Sequence, residues 1–121
     1  MCELFAGNEA YVHFYLTNFT DTRSLENAVF NIPYCGGNTN TTGGLRLARQ
    51  EIFNTANGDR QDVLNVIVLI TDGNPTLEVD ELSDEVRLMK SMDVRIVGVG
   101  VTSEVSAMTQ YLRRVSRSPS G

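Results

Sequence analysis

Residues 63–75 read "VLNVIVLITDGNP", and this stretch decides the fold. Positions 63–70 are almost wholly apolar and rich in β-branched side chains. Such a run fits a strand covered on both faces, as in a parallel sheet with helices on each side. It stops at a strand-end carboxylate, Asp72, then Gly73, which lets the backbone turn away, then Asn74-Pro75. Downstream, "VDELSDEVRLMK" (79–90) sets Val79, Leu82, Val86 and Met89 on one helical face. "VRIVGVGV" (94–101) is a second buried strand, and Val105, Met108, Leu112 and Val115 mark a last helix. Strand, helix, strand, helix argues an open α/β sheet with right-handed crossovers.

Upstream the pattern changes. "AYVHFYL" (10–16) alternates, with Ala10, Val12, Phe14 and Leu16 on one side and Tyr11, His13 and Tyr15 on the other. That is a half-buried strand, antiparallel or at an edge, with His13 on its solvated face. "MCELFA" (1–6) is short and apolar enough to pair with it. "SLENAVFNI" (24–32) places Leu25, Ala28, Val29 and Ile32 on one helical face, with Asp21 or Thr22 as the cap and Pro33 as the stop. In "LRLARQEIFN" (45–54), Leu45, Ala48 and Ile52 share a face, and Asn57-Gly58-Asp59 is a turn.

The chain has 121 residues, enough for one hydrophobic core. Its net charge is −5, which disfavours nucleic acid and anionic membrane surfaces. No apolar run approaches the ~20 residues of a membrane helix, and no signal peptide is visible at the N-terminus. Cys2 and Cys35 are too few for a disulfide scaffold; they are either paired or free buried thiols. Two N-glycosylation sequons occur, Asn18-Phe19-Thr20 and Asn40-Thr41-Thr42, and they weakly favour a secreted protein.

Two loops could hold a ligand. One is Thr71-Asp72-Gly73-Asn74, at the carboxyl end of a buried strand, where open α/β sheets bind ligands. Asp72 is a hard anionic donor suited to Mg²⁺, or else a plain loop cap. The other is "YCGGNTNTTGGL" (34–45), with four glycines, three threonines and two asparagines in twelve positions. Gly36 and Gly37 free the loop to bend, Thr39, Thr41 and Thr42 offer neutral oxygens, and Thr41 or Thr42 also suits the cap of the next helix. The loop has no lysine and no G-x-x-x-x-G-K-[ST], which argues against nucleotide binding. Neither cysteine has a base nearby in sequence, so nucleophilic catalysis finds no support.

"GGNTNTTGGL", then "VIVLITDGNP", then "VRIVGVGV", in that order and spacing, resembles a von Willebrand factor type A domain. "NIPYCGGNTNTTGGL" is similar to the versions in matrilins, fibrillar-associated collagens and collagen VI. The resemblance covers residues 1–118 as a partial domain, with 119–121 as a tail. It implies a Rossmann-like, mostly parallel open sheet with one antiparallel edge strand and helices on both faces.

The resemblance also implies a metal ion-dependent adhesion site. There Mg²⁺ or Mn²⁺ is held by a D-x-S-x-S loop, by a threonine matching Thr39 and by an aspartate matching Asp72. Gly37, Asn38, Thr41, Gly73 and Asn74 would form the ligand-binding loops; separately, on its sequon alone, Asn18 is the expected glycosylation position. The implied role is a non-enzymatic cell-adhesion or extracellular matrix module, secreted or part of an ectodomain. Its partner would be a matrix or cell-surface protein, collagen-like proteins included, and it would not insert in a membrane.

The sequence departs from the family at D-x-S-x-S, which is absent. The first strand and helix and the last strand and helix are expected to be missing too, leaving an open edge beside "VLNVIVLI" and weak metal binding. Two alternatives stand beside this reading. One is a Mg²⁺-dependent phosphotransfer or phosphatase-like α/β enzyme using Asp72 and the acidic stretch 78–85, with Lys90 as its only lysine. The other is an inactive structural fragment.

Overall fold

The computed structural model describes residues 3–6, 9–33, 39–72, 80–101 and 113. Strands β1 (Glu3–Ala6) and β2 (Ala10–Phe14) form an antiparallel hairpin, pairing Leu4 with Val12 and Ala6 with Ala10. Helix α1 (Thr22–Phe30) follows. Helix α2 (Thr41–Leu47) continues into a π-helical turn, Ala48–Ile52, and then a 3₁₀ turn, Thr55–Asn57. Strand β3 (Val66–Thr71), helix α3 (Leu82–Ser91) and strand β4 (Arg95–Gly100) complete the described chain. β3 and β4 are parallel, with Val68 opposite Val97 and Ile70 opposite Val99. Among the described residues this gives two two-stranded sheets, β1–β2 and β3–β4.

The core sits between the helices and one face of β3–β4. Leu45 of α2, Leu82, Val86 and Met89 of α3, and Val94 and Ile96 form one buried cluster, with Ala48, Phe53, Ile67 and Leu69 packed against it. The expected faces of α2 and α3 are therefore the buried ones. The expectations for Val79, Val105, Met108, Leu112 and Val115 lie outside the described residues, as do Cys2 and Cys35.

Three expectations need correction. The 63–70 run is not covered on both faces: Val66, Val68 and Ile70 are 51%, 58% and 68% exposed. The described helices packing on this strand pair reach only the Ile67 and Leu69 side. The opposite face exposes Val97, Val99 and Val101 as well. Helix α1 buries no residue, and Val29 and Phe30 on it are exposed, so its apolar face is only loosely covered. His13 is not a solvated strand histidine: its Nε2 is buried and has no hydrogen-bond partner among the described residues. Its ring also lies 5.1 Å from that of Tyr11.

The ends of the helices follow local chemistry. Asp21 caps α1 by accepting from the Ser24 backbone N–H at 2.9 Å, and this bond holds its carboxyl below the usual value. α3 ends in a Schellman motif. The Val94 N–H donates to the Met89 carbonyl and the Asp93 N–H to Lys90, with Asp93 in the left-handed region at φ 58. Aspartate tolerates that conformation better than most residues. The motif delivers Val94 and Ile96 into the core directly after the helix.

Candidate functional site

The two loops singled out by sequence flank α2 and β3. Thr39 is half-buried and stands just before the cap of α2. The cap is Asn40, whose side-chain oxygen accepts from the Gly43 N–H at 2.8 Å. Thr41 and Thr42, expected as loop oxygens or caps, instead occupy the first turn of α2 and are 3% and 0% exposed. The competition is won by Asn40, because its side-chain oxygen reaches the backbone N–H three residues on and satisfies one of the helix's unpaired donors.

Gly43 has a local reason to be glycine. A Cβ there would come within 2.8 Å of the Asn40 amide. Part of the glycine content of 34–45 thus makes room for the cap rather than for a ligand. Gly43→Ala is expected to displace the Asn40 side chain and cost about 1–2 kcal/mol, the value of a lost N-cap. Chemical denaturation compared with Asn40→Ala checks it: the two losses should be similar and non-additive in the double variant.

Asp72 is exposed and follows the carboxyl end of β3. The backbone just before it is fixed, since the Thr71 carbonyl accepts from the Val101 N–H at 2.9 Å and Thr71 is 9% exposed. Gly37, Asn38, Gly73 and Asn74 lie outside the described residues. Among the described residues no group of three or more His, Cys, Asp or Glu side chains could hold a metal. Thr39 carries a neutral oxygen and Asp72 an anionic one. Both are donor types that hard divalent cations prefer.

Behind α2 lies a feature that sequence reading missed. Arg49, in the π turn, donates to both carboxylate oxygens of Glu85 on α3, Nε at 2.6 Å and a terminal nitrogen at 3.2 Å. Arg46 adds a longer contact at 3.9 Å. The Glu85 side chain is 5% exposed and that of Arg49 25%. The hydrogen bond to Glu85 pushes the Arg49 guanidinium above its ordinary value, against the opposing effect of burial. The Phe53 N–H donates to the Ala48 carbonyl at 3.0 Å, five residues back, which is the π-helical pattern. The signal was present in sequence: Glu85 falls on the Leu82–Val86–Met89 side of its helix, where an acid needs a partner.

Residues 4–121 match the model of the von Willebrand factor type A domain. The chain belongs to that family. It is 30% identical over 106 residues to human vitrin, covering 88% of this chain and 15% of that protein. It is 36% identical over 103 residues to von Willebrand factor of Rattus norvegicus, covering 82% of this chain and 22% of that protein. It is 38% identical over 79 residues to the collagen alpha-1(XII) chain of Oryctolagus cuniculus, covering 65% and 12%. The chain thus spans a small part of each relative.

Among solved structures, proximal thread matrix protein 1 from the mussel byssus superposes with a TM-score of 0.85 at 19% identity, over 96% of this chain and 29% of that one. A second structure of that protein, with zinc in its MIDAS motif, gives 0.79 at 24% identity, over 97% and 28%. At these identities the superpositions establish the fold alone. The antiparallel β1–β2 hairpin and the parallel β3–β4 pair are the described parts of that fold.

Proposed function

We propose that the chain is a non-enzymatic, protein-binding module of the extracellular matrix, or of an ectodomain, that uses a divalent cation to engage its partner. Thr39 and Asp72 would hold Mg²⁺ or Mn²⁺, largely hydrated. Gly37, Asn38, Gly73 and Asn74 would shape the loops around it. When bound, the ion supplies a Lewis-acidic point to which an acidic side chain of the partner can bind. The partner is a matrix or cell-surface protein, with collagen-like proteins among the candidates.

The observation that carries this reading is the exposed Asp72 at the carboxyl end of β3 in a von Willebrand factor type A chain. Likeness to a collagen chain and to a matrix protein with a zinc-filled site supports it. A Mn²⁺ titration by calorimetry, with Asp72→Ala alongside, is the test. Saturable, weak binding that disappears in Asp72→Ala is expected, because removal of the one anionic donor leaves a hydroxyl that competes poorly with water. Identical heats for the two folded proteins would overturn the metal-dependent reading.

A further inference from the structure

We propose that Asn18 is an N-glycosylation site and that the first sugar of its glycan occupies the cavity beside His13. The chain has two sequons, and the structure separates them. Asn18 and Thr20 are exposed, on the turn after β2. The Asn18 Oδ1 accepts from the Tyr15 N–H at 2.5 Å, which leaves Nδ2 as the reactive end of the amide. Asn40 is 8% exposed and caps α2, and Thr42 of its sequon is fully buried. A glycan on Asn40 is incompatible with that fold, whereas one on Asn18 is not.

The cavity gives the glycan a seat. It has a volume of about 370 Å³ and is lined by His13, Phe14, Asn18, Phe19 and Asn31, among others. His13 lines the cavity, and its Nε2, turned inward, is buried without a partner among the described residues; such an atom calls for a specific explanation. Asn31 donates its Nδ2 to the Asn27 carbonyl at 2.7 Å and retains its Oδ1 as an acceptor. Phe14 and Phe19 meet edge to face, with centroids 5.1 Å apart.

An N-acetylhexosamine suits this lining. Its hydroxyls donate and accept, so once the imidazole turns toward the cavity one of them satisfies His13 Nε2 in either tautomer. Its C–H face packs on aromatic carbon. Asn18 itself lines the cavity, so a sugar bonded to Nδ2 begins at its rim. The covalent link makes seating intramolecular, and weak contacts then suffice. The loosely covered α1, with no buried residue, leaves the space that the sugar would fill.

The transfer balances. Asn18 Nδ2 attacks the anomeric carbon of a polyprenyl-diphosphate-linked oligosaccharide, and the N–C glycosidic bond forms. The anomeric C–O bond breaks, the polyprenyl diphosphate leaves, and Nδ2 gives up one proton.

The test expresses the chain with a signal peptide in eukaryotic cells. Peptide mass mapping after N-glycosidase in ¹⁸O water reads each site, in lysate as well as medium, so retention of the chain does not hide the result. Labelled Asn18 and unlabelled Asn40 are expected, with the label lost in Thr20→Ala. An unmodified Asn18, or a modified Asn40, overturns the assignment. The seat is read separately, on protein trimmed to one sugar, against Asn18→Gln. A shift of the His13 imidazole ¹⁵N resonances and sugar-to-Phe19 cross-peaks are expected in the trimmed protein. Histidine resonances identical to those of Asn18→Gln, with a mobile sugar, overturn the seat.

Discussion

Glu85→Ala is expected to destabilise the chain by about 3 kcal/mol, the low end of the cost of breaking a buried ion pair. The carboxylate is 5% exposed and takes two hydrogen bonds from Arg49. Without it, the Arg49 guanidinium loses both hydrogen bonds and is left three-quarters buried with water as its remaining partner. The loss should appear as a Tm lower by roughly 10 °C. A charge-free replacement behaves differently. Arg49→Met with Glu85→Leu removes both charges while keeping volume, and should recover most of the loss. If Glu85→Ala and the double variant are equally unstable, the pair acts through packing and not through paired charge.

Met89→Ala is expected to cost about 3–4 kcal/mol. Met89 is fully buried and stands at the centre of the cluster joining α3 to Leu45, Val94 and Ile96. Truncation removes the transfer energy of the side chain and opens a cavity that two helices and a sheet cannot collapse to fill. Met89 also lends its carbonyl to the Val94 N–H at the end of α3, but alanine keeps that bond, so the loss is packing alone. Met89→Leu, nearly equal in volume, should cost under about 1.5 kcal/mol. Equilibrium unfolding in urea separates the two, with m unchanged in both.

Periodicity made the elements around these two residues readable. Leu82, Val86 and Met89 repeat at helical spacing, Leu45 and Ile52 likewise, and each is buried. The alternating 10–16 segment was legible as an edge strand because one side must meet water. Other features were not legible, for physical reasons. Helix α2 begins at Thr41 and not at Leu45, because a cap three residues ahead of a glycine carries no hydrophobic signal. The helical face of Glu85 signalled a buried acid, but its partner lies 36 positions away, which no local window sees. The 63–70 run reads as doubly buried whether or not both faces find cover, since sequence records what a strand prefers and not what it meets. For the candidate site, the sequence suggested Thr39 and Asp72, and it placed Asp72 correctly at a strand end. It also took Thr41 for a loop residue, because hydroxyls that line a loop and hydroxyls buried in a first helical turn look alike until the cap is known.

The division of the described residues into two small sheets bears on the order in which they assemble. The β1–β2 hairpin closes over residues 3–14, and the β3–α3–β4 unit over 66–100. α2 touches both, through β1 and β2 on one side and α3 on the other. Each unit needs only nearby partners, so loop closure favours forming them early. Joining them through α2 comes later. Hydrogen exchange in the native state should therefore show two separately protected groups of amides, β1–β2 opening at lower free energy than β3–α3–β4. Substitutions at Leu45 should then speed unfolding while barely slowing refolding, the signature of a contact made after the barrier is crossed.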